Sequence, residues 1–306
     1  MNKKSILVVG SINMDLIMET EHCPEAGESV IGSRYSNASG GKGANLAVAA
    51  ARLGAEVTFV GRVGNGRNGS ILRNNLAETG VATDYLISDP YTQTGLAVII
   101  LEATGDNRIV VVPGANSAIT VEDLTAPFSH TYDAVVTNLE IPPDITTACR
   151  QMALRKDIPF ILDAGPAREF DLSGVSGLEI LSPNETETKA LIGAQCGTIQ
   201  QVEAAARELA ERSKAKIVVI KLGERGAYWF SEGAGGIIGP YRVDAVDTTA
   251  AGDAFTAGLT LGYLKTGDIA GAVQFANAVG ALTVTKLGAQ PSLPDLGTVQ
   301  QFIQDH

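Results

Sequence analysis

Short apolar runs stopped by glycine or polar residues constrain this chain more than any other feature. They are Ile6–Val9, Val57–Val60, Ala134–Thr137, Ile158–Leu162, Leu178–Leu181 and Ile217–Ile220. Most are continuous rather than alternating, which is the pattern of strands buried on both faces, as in parallel sheets. Helical patterns lie between most of them. Ala44–Leu53 stops at Gly54, Ser70–Thr79 at Gly80 and Glu185–Ile192 at Gly193. A glycine just past a helix takes the left-handed conformation that closes it. Pro142-Pro143 suits a first helical turn, and Thr198 with Gln201 has the spacing of a capping box. Strand and helix in alternation specify an α/β fold, with a mainly parallel central sheet flanked by helices.

Two stretches break the rhythm. Met14–Tyr35 is strand-like without a long helix, and Leu96–Leu101 with Arg108–Val112 reads as a hairpin around Thr104–Asn107. These insertions, about 13–39 and 95–113, are expected to form a small β lid flanking the site. A second hairpin is expected from Ala227–Phe230 and Gly236–Ile238, around Ser231–Gly236. Without repeats or linkers, residues 1–306 read as a single domain carrying that lid.

Lysine and arginine number 23 against 34 acids, a formal charge of −11 that argues against nucleic acid or an anionic membrane as partner. No apolar stretch has the ~20 residues of a membrane span. Cys23, Cys149 and Cys196 are scattered and lack zinc spacing, so they read as reduced, buried thiols. With no signal-like segment, the expectation is a cytoplasmic protein.

Five segments carry candidate chemistry. Ser39–Asn45 brings glycines to a helix start, where the backbone can approach a ligand and amides favour anions or polar oxygens; it lacks the spacing of a Walker loop. Asp247–Asp253 opens an apolar helix, Ala254–Leu264, with small residues that leave amides free for a transferring phosphate. Asp253 could take a proton from an alcohol there, or simply cap the helix. Gly258 and Gly262 suggest that this helix packs closely on the sheet. After the run Leu178–Leu181, Asn184 and Glu187 could orient hydrated magnesium, or form a helix start with acids favoured by the dipole. Glu140 and Asp163 follow strands at the same sheet edge, and Lys221–Gly226 makes a turn after another. Gly64–Gly69 matches G-x-G-x-x-G, with Asp89 near the place of a ribose-binding acid. It follows the second strand rather than the first, and Ser88–Tyr91 reads as a turn, so a surface turn is the expectation.

In their order, these segments resemble the ribokinase family of carbohydrate kinases. The likeness runs from Gly10–Asp15 to Gly288–Ser292, and its most specific parts are Gly40–Asn45 and Asp247–Asp253. The resemblance implies ATP-dependent phosphorylation of a sugar hydroxyl, first the 5-hydroxyl of D-ribose. Asp253 would be the base, with the amides of Ala251 and Gly252 as anion hole. Asn13, Asp15, Gly41, Lys42, Gly43, Asn45 and Glu140 would hold the sugar. Asn184, Lys221, Gly223, Gly226, Gly252 and Asn277 would line the nucleotide, and Glu187 would act on Mg2+ through water. A potassium ion would lie among Asp247, Thr249, Thr283, Lys286, Gly288 and Ser292, mostly on backbone carbonyls. The lid would cover the sugar and pair between subunits of a homodimer.

The chain departs from the family pattern in places. Acids usual in the Gly64–Gly69 turn are absent. Asp163 stands where asparagine is common, Leu46 where glutamine is, and Lys221 where threonine is. Alternatives are a kinase for deoxyribose, another pentose or a nucleoside, then a nicotinamide-dependent oxidoreductase using Gly64–Gly69, then a non-catalytic sugar sensor. The retained Asp253 speaks against the sensor.

Overall fold

A computed structural model describes residues 3–104 and 106–306. Met1, Asn2 and Gly105 of the expected lid turn lie outside the described residues. The strands are β1 Ser5–Val9, β2 Asn13–Thr20, β3 Arg34–Gly40, β4 Glu56–Gly64, β5 Ala82–Asp89, β6 Gly95–Glu102 and β7 Asn107–Val112. They continue with β8 Ala134–Asn138, β9 Phe160–Asp163, β10 Ile180–Ser182, β11 Ile217–Lys221, β12 Ala227–Ser231 and β13 Ala234–Ile238. The helices are α1 Lys42–Arg52, α2 Arg67–Glu78, the single turn α3 Glu122–Thr125, α4 Pro143–Arg155 and α5 Glu185–Ile192. After them come α6 Ile199–Ser213, α7 Ala251–Thr266, α8 Ile269–Val284, the short α9 Ala289–Ser292 and α10 Leu296–Asp305.

The large sheet has the order β13-β12-β11-β10-β9-β8-β1-β4-β5. Its strands run parallel from β5 to β11, and β12 and β13 continue it as an antiparallel hairpin. Successive residues of β1 alternate between two cores: Ile6 and Val8 pack with α1, α2, α7 and α8, while Leu7 and Val9 pack with α4 and α6. A strand between two apolar layers has no polar face, and that is why β1 reads as an unbroken apolar run. The order reverses at β1, which lies between β4 and β8, so the carboxyl end of β1 opens a crevice of the kind where α/β sheets bind ligands.

The lid forms as expected. β3-β2-β6-β7 make a separate sheet in which β2 and β6 run parallel and the outer pairs antiparallel. Every residue of β7 is exposed, including Ile109, Val110, Val111 and Val112.

Some expectations need correction. The strand expected at Val57–Val60 extends to Gly64, and the turn of the second hairpin narrows to Glu232-Gly233. Asp89 ends β5 rather than sitting in a turn. β5 escaped notice because an edge strand mixes exposed and buried positions and has no apolar run. Gly258 and Gly262 face α8, not the sheet: a Cβ at Gly262 would stand 2.9 Å from the Ala272 Cα, and one at Gly258 3.2 Å from the Ala276 Cα. The near contact of two backbones is what these glycines permit. Cys149 and Cys196 are buried, whereas Cys23 is only partly so. No described helix is long and apolar enough to cross a membrane.

Candidate active site

The crevice begins where β1 meets α1 backbone to backbone. A Cβ on Gly43 would stand 2.6 Å from the Gly10 Cα, and the Ala44 amide donates to Ser11 O at 2.9 Å. Gly41 precedes α1 at φ +90°, where a side chain would also strike Asn13 N at 2.7 Å. The glycines therefore set the helix against the strand end. Glu140, just past β8, ties the junction by accepting hydrogen bonds from the Lys42 amide at 3.1 Å and the Ser11 hydroxyl.

On the lid side, β2 delivers Asn13 and Asp15 to one face, since strand side chains repeat every second residue. Asn13 Oδ1 accepts from Asn116 Nδ2 at 2.7 Å. Asp15 lies against Gly40, where a Cβ would fall 2.1 Å from its Oδ2. Burial, with Glu140 and Asp253 nearby, pushes the Asp15 carboxyl up to about 7.

Asp253 sits in the first turn of α7 and is 6% exposed. Asn45 Nδ2 donates to its Oδ2 at 2.9 Å, and Lys42 Nζ stands 3.9 Å from Oδ1. Burial raises its pKa to about 6; Lys42 opposes the rise and Asp163 adds to it. Asp253 in turn holds the Lys42 ammonium in its charged form. The cap reading fails for Asp253, because the N-cap residue is Ala250, in the left-handed region at φ 63°, and no side chain caps the helix. An uncapped helix start beside a carboxylate whose pKa lies near neutrality combines an anion site with a proton acceptor.

Behind that helix start lies a cleft of about 1170 Å³. Lys221, Gly223, Gly226, Gly252 and Asn277, the residues that the family resemblance would put beside a nucleotide, line it together with Ala251. Asn277 is fixed by Nδ2 donating to Gly239 O at 3.0 Å and Ile238 O at 3.2 Å. Asn184 is not part of this lining. Its Oδ1 accepts from the Glu187 amide at 2.8 Å while Glu187 Oε2 accepts from the Asn184 amide at 2.6 Å, so the pair forms a reciprocal helix cap.

Asp163 and Lys221 form a buried ion pair beside the cleft, with Nζ 3.0 Å from Oδ2 and 3.2 Å from Oδ1. Glu187 Oε2 stands 3.7 Å from the same ammonium, and the Thr256 hydroxyl donates to Asp163. Burial raises the Glu187 pKa, with Lys221 opposing. Asp163 was noted as a sheet-edge candidate, but its partner lies 58 residues away, which no local spacing reveals. Ser11 and Asn116 were missed as site residues. Ser11 sits inside the Gly10–Asp15 segment, whereas Asn116 carries no local signal.

The segments around Asp247 and Gly288, where the family resemblance would place potassium, also meet. Asp247 Oδ1 accepts from the Thr249 amide at 2.9 Å and hydroxyl at 2.6 Å, and Oδ2 from the Gly288 amide at 2.8 Å. These bonds hold its carboxyl below the usual range despite burial. Val246 N also donates to Val284 O at 2.7 Å. The side-chain hydroxyls of Thr283 and Ser292 bond to Val279 O and Ala289 O within their own helices, and the Lys286 amide donates to Thr283 O at 3.4 Å.

The Gly64–Gly69 glycines serve packing. A Cβ at Gly69 would stand 1.9 Å from Gly64 O, and Asp89 is taken by the amides of Tyr91 and Thr92 and by Arg62 Nη1 at 3.0 Å. The acid expected to hold a ribose is thereby committed to the protein's own turn and ion pair.

Residues 3–296 match the model of the pfkB family carbohydrate kinases. The chain is 36% identical to a ribokinase of Bacillus subtilis over 98% of its own length and 99% of the relative. It is 33% identical to a deoxyribokinase of Salmonella typhi over 97% of its own length and 98% of the relative. A structure of Arabidopsis thaliana ribokinase complexed with ribose and ATP superposes with a TM-score of 0.91 at 32% identity, covering 99% of both chains.

Proposed function

The chain belongs to the pfkB family of carbohydrate kinases, and from that premise we propose that it transfers the γ-phosphoryl group of ATP to the 5-hydroxyl of D-ribose. The observation that carries the reading is the place of Asp253. It stands at the uncapped start of α7, near Asp15 of the lid and Glu140 of the central sheet, while Ala251 and Gly252 of the same turn line the cleft. The Arabidopsis ribokinase, complexed with ribose and ATP, supports those two as the substrates.

In this reading Asp253 takes the proton of the sugar hydroxyl. The sugar oxygen forms its bond to the γ-phosphorus as the bond to the β–γ bridging oxygen breaks, and that electron pair leaves with ADP. Asn45 and Lys42 orient the Asp253 carboxylate, and the amides at Ala251 and Gly252 receive charge on the transferring group. Asn13, Asp15, Gly41, Gly43 and Glu140 hold the sugar. Gly223, Gly226 and Asn277 shape the nucleotide side, with Asn184 acting through its cap on Glu187. A hard carboxylate oxygen suits hydrated Mg2+, and Glu187 would hold that ion through water. Magnesium, when bound, neutralises phosphate charge.

The oxygen-rich junction of Asp247, Thr249, Thr283, Lys286, Gly288 and Ser292 suits potassium, with Lys286 offering its carbonyl. The exposed apolar strand β7 supports a homodimer through the lid. A cytoplasmic location accords with reduced thiols.

A second reading, phosphorylation of 2-deoxyribose, is favoured by the deoxyribokinase relative. The test is ADP release across ribose, 2-deoxyribose, other pentoses, fructose and adenosine. Ribose is expected to give the highest kcat/KM. A clear preference for another acceptor would replace ribose, and no turnover with any sugar would overturn the kinase reading.

A further inference from the structure

We propose that Lys221 touches the phosphate chain of the nucleotide as a built-in cation, kept in place by Asp163, and so offsets charge on the transferring group. The proposal rests on the kinase reading above and assigns Lys221 a chemical role within it.

The Lys221 side chain is only 10% exposed, yet the residue lines the cleft wall. Taking an ammonium out of water is costly, and a purely structural pair at this depth would be matched or bettered by apolar side chains. Asp163 at 3.0 Å and Glu187 at 3.7 Å give the ammonium two carboxylate neighbours at that depth. Its position fits a ligand-facing task. A Cβ on Gly252 would stand 3.7 Å from Lys221 Nζ, which puts the ammonium beside the first turn of α7. The start of α7, which no side chain caps, and the ammonium therefore meet at the cleft wall, with Gly252 and Lys221 both lining it.

Lys42 Nζ stands by Asp253 of the same turn, within the same charge cluster. The surroundings are acidic: Asp15, Glu140, Asp163, Glu187 and Asp253 gather about these ammoniums. A polyanion entering there needs cations aimed at it, and a phosphate chain suits both a helix N-terminus and an ammonium. Asp163 is well fitted to be the holder. Gly165 N donates to its Oδ1 at 3.0 Å and Thr256 to its Oδ2, so the carboxylate is fixed before Lys221 is counted. A fixed carboxylate aims the ammonium without neutralising the whole of its field.

The test compares Lys221→Gln, Asp163→Asn and the double variant by calorimetric binding of ADP and of adenosine without divalent cation, by thermal melting and by kcat. The double variant removes both charges of the Asp163–Lys221 pair and leaves only Glu187 without its neighbour at 3.7 Å, so it keeps the comparison open if a single variant melts early. Both variants lacking Lys221 are expected to lose about tenfold in ADP affinity and about 10–100-fold in kcat, because one charge-assisted phosphate contact is gone. Adenosine affinity should stay within about twofold of wild type, since adenosine has no phosphate to lose. Asp163→Asn, which keeps the ammonium but loosens its aim, should lose less ADP affinity than Lys221→Gln. Equal ADP affinity in wild type and double variant, or the same loss in Asp163→Asn as in Lys221→Gln, would make the pair structural and overturn the proposal. Wild-type protein that bound neither ligand would overturn the kinase reading, and this role with it.

Discussion

Asp253 gathers the physics of the site into one carboxylate. Its raised pKa comes first from burial, and Lys42 limits the rise, leaving a group near 6 that is ionised at neutral pH yet basic enough to accept a proton. Asp253→Asn should lower kcat by ~10²–10⁴ with nucleotide affinity nearly intact. A kcat near wild type would remove the base from the mechanism. In the wild type, activity should fall as pH drops through about 6, because the base is then protonated. Asp15 offers a stability test with a definite sign. Its carboxyl rises from 3.8 to about 7 on folding, so the folded state favours the neutral form. Its contribution to stability is full below 3.8 and is lost as pH rises through about 7. Asp15→Asn should therefore raise the melting temperature relative to wild type at pH above 7, and the difference should shrink in mild acid. A gap independent of pH would mean that the carboxyl does not titrate as argued.

At the scale of elements, the site depends on close backbone approaches. Gly43 seats α1 on the end of β1, and a Cβ there would meet Gly10 and Ser11 backbone at 2.6–2.7 Å. Backbone cannot swing aside as a flexible side chain can. Gly43→Ala should thus cost about 1–3 kcal/mol in urea unfolding and also displace Asn45 from Asp253, lowering kcat. Unchanged stability would show that the two elements can separate freely. The junction between the segment before α7 and the segment after α8 depends on Asp247, whose oxygens accept from Thr249 and Gly288. A potassium ion there would order the start of α7 before the reaction. Activity should be higher in potassium than in sodium or a bulky organic cation at matched ionic strength, and Asp247→Ala should erase the difference. Equal rates in every salt would leave Asp247 as a clamp only.

For the whole molecule, the lid leaves an edge unresolved within one chain. Ile109, Val110, Val111 and Val112 are all exposed on β7, and an open edge with apolar side chains favours pairing with another copy. Light scattering at micromolar concentration should give a dimer, and Val110→Lys should shift it toward monomer while α/β core stability stays within about 0.5 kcal/mol, as for other surface substitutions. A fully active wild-type monomer would remove the dimer from the account. The two halves of the site also need the whole molecule. Lid strands bring Asn13 and Asp15, the central sheet brings Glu140, Asp163 and Lys221, and α7 brings Asp253. Loss of the lid would remove Asn13 and Asp15 from the site and take Met14 out of the core.

What local order encodes was legible in the chain. Continuous apolar runs marked the doubly covered strands β1, β8 and β11, and glycines at 54, 80 and 193 closed the helices where expected. The motifs at Gly40–Asn45 and Asp247–Asp253 announced the site because glycines and a helix-entry carboxylate are local requirements of local geometry. Edge strand β5 was hidden by its mixed exposure. The apolar helix α8 went unassigned because its small residues meet neighbours on several sides and leave no clear polar stripe. Gly258 and Gly262 pointed to close packing, but only the fold named α8 as the partner. Tertiary structure alone decided that Asp163 meets Lys221, that Asn116 steadies Asn13, and that Asp89 is spent on Arg62 rather than left for a ligand. Such pairings join residues far apart in the chain, and the free energy that selects them comes from burial that exists only once the sheet has brought the strand ends together.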